Sequence, residues 1–412
     1  MRRRDGAVRL PVLSSDDAMI RERRTTLPRQ LLLILLLTGC AQHSVASTLR
    51  DALAGALERA HFEHSTESSA ASSWLSATPS LTASYIDSQE SLGTDETEFI
   101  FNLPIKSGSR RRLDDKLTSV ADQFEAAGNE YRRWVYSGYV RERAWASRIA
   151  MARLAAARGK LEMLEALADR SSQLATSGAL PVYASLIVER ERLGAALELD
   201  ARRADAERSR ADFAALTGLP DIPANLSEQT PVPALLEYAS HPASRRLERE
   251  REQEAALLDL SAPDTAGWNL AFIALNFEGP QIDEEQYGLQ IEMPLNFLGT
   301  QTTANSSQKR SSQRAYMLAR DELWLTLKQQ WDSARVEAQR LEHRQALLTE
   351  AVAVGERIEA HILALRASNE IDGEILLQRL LDVANTKAEL AVTAAQVGRN
   401  QARLRQAAGW AL

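Results

Sequence analysis

The sequence predicts a mainly α-helical protein that carries two pairs of β-strands and is built as a tandem duplication. Three observations predict it. Alanine makes up roughly one residue in six of the 412, while glycine (19) and proline (13) are sparse, a mix that favours long helices. Two stretches, 110–176 and 302–367, contain no proline and would each form one very long helix. Segments also recur at a fixed separation of about 190 residues. Phe101-Asn102-Leu103-Pro104-Ile105 resembles Ile291-Glu292-Met293-Pro294-Leu295, and Leu216-Thr217-Gly218 pairs with Ala407-Ala408-Gly409. Between them, Leu174 to Pro181 sits opposite Leu365 to Asp372 at the same offset.

Composition excludes several function classes. A net charge of −7 argues against a nucleic-acid-coating protein, and a single cysteine excludes a disulfide framework. That cysteine is informative in another way. Arg21, Arg23, Arg24 and Arg29 precede an apolar run from Leu31 to Leu37, followed by Thr38, Gly39 and Cys40, the order of a secretory signal. The run is far shorter than the roughly 20 residues a membrane-spanning helix needs. Leu37-Thr38-Gly39-Cys40 resembles the lipobox of bacterial lipoproteins, which implies that Cys40 is acylated and begins the mature chain. Ala41 follows it, and the absence of aspartate there implies the outer membrane. Residues 1–39 therefore read as a signal segment with Met19 as a candidate start, and 40–46 as a lipidated linker. The first repeat is 47–218, 219–233 a linker bearing Pro220, Pro223, Pro231 and Pro233, and 234–412 the second repeat.

The elements follow in order. A helix is expected over Ser47–Leu75 and its counterpart over Ala234–Leu260. Two alternating segments come next, Ser80–Ser88 and Thr97–Ile105, matched by Trp268–Phe277 and Gln286–Leu295. Tyr287, Leu289, Ile291, Met293 and Leu295 share one face of the last strand, with Gln290 and Glu292 on the other, and Phe99, Phe101, Leu103 and Ile105 repeat that apolar face. Such alternation suits either a half-buried soluble sheet or a membrane barrel. Each long helix then spans roughly 100 Å and needs neighbours along its length. A returning helix over Val182–Thr217 and the helix before the strands, stacked end to end, together nearly match it. On the last helix Leu380, Val383, Lys387, Leu390, Ala394 and Val397 trace a stripe at helical spacing, which favours close packing in extended sheets of helices.

The duplicated order of helix, strand, strand, long helix, turn and helix resembles the TolC-like outer-membrane efflux proteins, the outer membrane factors, over residues 47–412. Leu103-Pro104-Ile105-Lys106-Ser107-Gly108-Ser109-Arg110-Arg111 resembles the family's exit from the second strand, and Met293-Pro294-Leu295-Asn296-Phe297-Leu298-Gly299 its partner. Ser240-His241-Pro242-Ala243 is similar too, and Leu295–Gln301 resembles the heavy-metal efflux branch more loosely. The sequence departs from the pattern where only Gly108 and Gly299 stand for a usual glycine pair, and where His61-Phe62 replaces a residue-proline step. The resemblance implies long helical hairpins forming a trimeric α-barrel, with four strands per protomer in a shared 12-stranded outer-membrane β-barrel. It implies a homotrimer that works with a periplasmic adaptor (membrane fusion protein) and an inner-membrane pump such as an RND transporter, as the passive exit duct of a tripartite efflux or type I secretion system for small molecules, metal cations or polypeptides. A non-channel periplasmic coiled-coil scaffold lipoprotein is the alternative, and the strands discriminate, since a scaffold has no need of them.

Candidate site residues follow from both readings. Tyr287, Leu289, Ile291 and Met293 are expected to face lipid. The turns Ser177–Tyr183 and Ser368–Glu374 would form the periplasmic tip, where Gly178, Leu180, Pro181, Asn369 and Ile371 are expected to contact the adaptor by resemblance. Glu370, Asp372 and Glu374 would place three copies of an acidic cluster around a narrow opening. His61 and His64 have a spacing that suits metal ligation or plain solvated polar residues, and no metal or cofactor is expected. No Ser-His-acid constellation or phosphate-cradling glycine loop is legible, so no enzyme is expected. Arg110, Arg111 and Arg112 open a long helix, where the macrodipole disfavours cations. Either anionic headgroups or Asp114 and Asp115 would compensate them.

Overall fold

The computed structural model describes residues 47–60, 72–178, 180–229, 231, 233–261, 267–280, 283–293, 303–367 and 373–412. The elements are α1 (Leu49–Arg59), β1 (Ser80–Ile86), β2 (Asp95–Ile105), α2 (Gly108–Thr176), α3 (Val182–Thr217), α4 (Pro242–Leu260), β3 (Trp268–Glu278), β4 (Asp283–Glu292), α5 (Thr303–Ala367) and α6 (Gly373–Ala407).

The two long helices form as the missing prolines demand. α2 runs 69 residues and α5 runs 65, so each extends about 100 Å at 1.5 Å per residue. Ser107 caps α2, its hydroxyl accepting the Arg110 N–H at 3.2 Å. The helix ends where Gly178 takes a left-handed conformation (φ 75), which a side chain resists. α3 and α6 also end at left-handed glycines, Gly218 and Gly409, the pair aligned by the repeat.

Stacking follows from close approach at these ends. A Cβ on Gly55 of α1 would lie 2.2 Å from the Thr217 carbonyl oxygen, so α1 abuts the end of α3 only because that residue is glycine. In the same way Gly409 meets His241 and Pro242, and α4 continues from the end of α6. Both stacks flank α2, and the α6–α4 stack lies between α2 and α5.

Three expectations are corrected here. The first helix ends at Arg59 and does not reach Leu75, which instead bridges to Ile105 in the sheet; the Ser/Thr-rich run before Leu75 is poor helix material. α4 begins at Pro242, not Ala234, because proline is suited to the first helical position and His241 Nδ1 accepts the Ala243 N–H at 3.1 Å. Each stack is therefore shorter than the long helix beside it. α4 also packs chiefly on α2 of the other half, tied by Arg245–Glu130 (2.9 Å) and by Arg246 over the Tyr131 ring (4.7 Å).

The main core sits where α1, α2, α3 and the proline-bearing segment meet, with Leu53, Ala56, Val140, Ala144, Phe213 and Leu226 buried. That segment is docked. Glu228 pairs with Arg141 at 2.6 Å, both side chains nearly inaccessible, and Arg148 donates to the Pro223 and Ala224 carbonyls. Burial pushes the neighbouring Arg405 guanidinium down from its ordinary value, against the favourable Glu228 charge.

Candidate membrane surface and channel tip

The four strands make one antiparallel sheet in the order β1-β2-β3-β4. Its register lines up the alternating residues of every strand. Leu81 stands opposite Phe101, Phe101 opposite Phe272 and Phe272 opposite Leu289; Phe99 stands opposite Ala274, and Ala274 opposite Tyr287. One face is thus apolar across all four strands. It is also open: Leu81 is 67% exposed, Phe272 48%, Tyr287 80% and Leu289 and Ile291 61% each. Burying such side chains stabilises by about 1.5–3 kcal/mol each, so the isolated sheet leaves a large favourable term unused.

Tyr287, Leu289 and Ile291 therefore share the exposed apolar face, and Met293, 50% exposed, follows the end of β4. β4 lies three residues earlier than expected, at 283–292, because pairing of Asp283–Glu285 with Asn276–Glu278 carries the ladder into the acidic turn. The opposite face is polar on β4 and largely so on β1, through Gln290, Glu292, Thr82 and Ser84. On β3 it is apolar, with Ile273, Leu275 and Phe277 part-buried. Period-2 reading of a strand that is apolar on both faces carries no facing signal. Trp74 (46% exposed) and Trp268 (45%) mark the helix-side edge, where Trp268 pairs with Ile105 and the Trp74 carbonyl accepts the Lys106 N–H at 2.8 Å.

At the far end of the helices, Gly178, Leu180 and Pro181 form a tight turn closed by the Leu180 N–H donating to Leu174 O at 3.2 Å. Asn369, Glu370, Ile371 and Asp372 lie outside the described residues, as do Cys40, His61 and His64; Glu374 falls in the first turn of α6. Among the described residues no cluster of three metal-ligating side chains occurs. No described helix is long and apolar enough to cross a membrane, which leaves a barrel untouched.

Sequence reasoning missed a charged cluster on the helices. Arg399 and Arg403 of α6 both reach Glu142 of α2, beside a cavity of 350 Å³ walled by Trp134, Tyr139 and Gln330. Burial opposes the charge on Glu142, yet the two guanidiniums hold its carboxyl below the usual carboxylate range. Residues this far apart in sequence leave no local pattern to find.

No family model and no curated protein sequence matches the chain. Solved structures do match it. The outer membrane protein VceC of Vibrio cholerae is 13% identical, the match covering 81% of this chain and 86% of that one at a TM-score of 0.61. CusC, described for transmembrane channel formation, is 15% identical over 93% of this chain and 89% of its own, at 0.62. The open state of the MtrE outer membrane channel of Neisseria gonorrhoeae is 18% identical over 81% of each chain, at 0.57. At such identities the likeness speaks for the fold, and the chain has the fold of outer-membrane channel proteins. It is the fold of the TolC-like outer membrane factors, as the duplicated order of elements led us to expect.

Proposed function

We propose that this chain is one protomer of a passive outer-membrane conduit, the exit duct of a tripartite efflux or type I secretion machine. One observation carries the reading: an open four-stranded sheet whose two edges are unpaired among the described residues and whose apolar face leaves Leu81, Phe101, Phe272, Tyr287 and Leu289 exposed. In lipid every backbone N–H and C=O needs a partner, so strands cross only as a closed barrel. Four strands cannot close; three copies give a 12-stranded barrel. The long helices continue each protomer into a periplasmic tunnel, which an adaptor would join to an inner-membrane pump such as an RND transporter. Cargo would be small molecules or metal cations, or a polypeptide for type I secretion. The transport energy would come from the pump.

Cys40 would carry the lipid anchor, and palmitate labelling that persists in Cys40→Ser removes that assignment. The turn residues Gly178, Leu180, Pro181, Asn369 and Ile371 would meet the adaptor, with Glu370, Asp372 and Glu374 at the tip constriction. The test of the whole reading is assembly and conductance. Membrane-extracted protein is expected to migrate as a heat-modifiable trimer and to open discrete conductances in a planar bilayer. A monomer that leaves the membrane once the lipid anchor is removed would instead identify the scaffold lipoprotein.

A further inference from the structure

Charge is segregated sharply along this molecule at the level of the sheet. Residues 76–105 and 267–293, which hold the strands, contain five acidic residues in each hairpin and no lysine or arginine. Most of those acids lie at the hairpin ends, Asp95 and Glu96 in one and Asp283, Glu284 and Glu285 in the other. At the helix end the sign reverses. Segment 106–116 carries five basic residues against two acidic, and 305–314 carries three basic residues and no acid.

The fold uses up only part of this basic charge. Asp114 is taken by Lys106 at 2.7 Å and by Arg110 at 3.5 Å, and Arg110 also donates to Leu260 O at 3.1 Å. Asp259 is shared by Lys116 and Lys309, at 3.6 and 2.8 Å, which places the heads of α2 and α5 at one level. Arg111, Arg112 and Arg310 remain exposed, and none of the three forms an ion pair with an acid among the described residues. Arg111 and Arg112 are the fourth and fifth residues of α2, near the end where the helix dipole is unfavourable to cations, so their charge favours an anion from outside the chain.

Their position says which anion. Trp268, near half exposed, stands opposite Ile105 at the last rung of the apolar face, and Trp74, also near half exposed, lies at the same edge beside Leu75; aromatic side chains at such an edge mark the boundary of a hydrocarbon layer. Arg112 follows Ile105 by seven residues, at most roughly 16 Å of chain, and a headgroup layer is roughly 5–7 Å thick. Long guanidinium side chains starting there reach the phosphate level.

We propose that Arg111, Arg112 and Arg310 seat on the phosphates of anionic phospholipids in the leaflet that faces the helices, setting the height of the barrel in the membrane. The planar fork of arginine suits phosphate oxygens, and repetition in each protomer makes a collar. This inference rests on the barrel reading above.

The test uses full-length protein purified in detergent. It is mixed with phosphatidylglycerol or with phosphatidylcholine of the same chains, passed through gel filtration, and its retained lipid is measured. Wild type is expected to retain phosphatidylglycerol preferentially, less so at high salt, with roughly fivefold weaker preference for each arginine changed to glutamine in Arg111→Gln, Arg112→Gln and Arg310→Gln. Arg190→Gln, which removes an exposed arginine of α3 (80% exposed), is expected to behave as wild type. Equal retention of both lipids, a triple variant that keeps the preference, or full competition by inorganic phosphate would each overturn the lipid assignment while trimers still form. A triple variant that no longer forms trimers would make these arginines contacts between copies and overturn it as well. If wild type itself forms no trimer in membranes, the barrel reading falls first and the collar with it.

Discussion

The helical junction and the sheet treat the same kinds of residue in opposite ways. At the junction Phe213 and Val140 are wholly inaccessible, whereas Phe101 and Phe272 in the sheet are 41% and 48% exposed. Junction helices bury their apolar side chains against their own chain, helped by buried ion pairs and by glycines that let helix ends touch. The sheet has no such partner among the described residues, and under the proposed conduit its apolar side chains would meet lipid and its edges further copies. Perturbations should separate the two regions, since one draws its stability from within and the other from its surroundings.

The largest expected effect lies at the junction. Arg141→Ala takes from the buried Glu228 its directly paired cation, leaving only the more distant charge of Arg405, and should cost about 3 kcal/mol, read as a fall in thermal or denaturant midpoint of the helices. A loss near zero would mean that docking of the 219–233 segment contributes little. In the sheet, Ile291→Arg puts a charge on the exposed apolar face and, if that face meets lipid, should cost about 2–4 kcal/mol of membrane assembly, while Gln290→Arg, one residue away on the other face, should be tolerated. Helix content measured by circular dichroism should change in neither. Equal tolerance of both substitutions would break the contrast, because the segment would not be a membrane strand.

A subtler separation comes from pH. His241 is fully buried between the end of α6 and Trp134, its Nε2 has no partner among the described residues, and burial pushes its imidazole down to about 4 from an ordinary 6.5. The folded junction thus favours the neutral ring. Its contribution is fully present above the unfolded value and is lost as pH falls from about 6.5 toward 4, by up to roughly 3 kcal/mol in all. His241→Asn keeps a cap acceptor but cannot titrate there, so its melting temperature should fall less than wild type's between about pH 7 and pH 4.5. Parallel curves for the two proteins would assign the acid sensitivity to other groups. The smallest effect on stability is expected at the tip: Glu370→Ala, Asp372→Ala and Glu374→Ala should leave melting unchanged yet shift divalent-cation block of a single channel. If all three variants block at the wild-type concentration, the constriction lies elsewhere along the tunnel.

Much of the architecture was legible in the residues themselves. The span of α3, Val182–Thr217, and the long helices to within two residues follow from proline placement and three-to-four spacing, and the strands from alternation at Phe99–Ile105 and Tyr287–Ile291. The pair Gly218 and Gly409 was visible as a repeat before either had a conformation. Of the candidate site, the apolar face of β4 was legible because a strand's facing is a property of a few adjacent residues. Which face of β3 goes with the apolar face of its neighbours was not, since apolar residues on both faces erase the alternation. Of the partners of Arg110 one was legible, Asp114 at 3.5 Å, a candidate by spacing; the other, the carbonyl of Leu260, lies 150 positions away and was not.

The sequence by itself determined the runs of α2, α3 and α5 and which segments are strands, because backbone preference, capping and periodicity act over a few residues; the end of α1, the start of α4 and the bounds of β4 it did not. It determined the acidic and basic segregation about the sheet in the same way, as a count along the chain. Only the tertiary structure decided that α4 packs on α2 of the other half, that Glu228 closes the proline-bearing segment onto Arg141, and that β2 joins β3 to make one sheet from two hairpins. Those are choices among distant surfaces of similar chemistry, settled by which close approaches the small residues permit and which buried charges find a partner, and neither is written in any local run of residues.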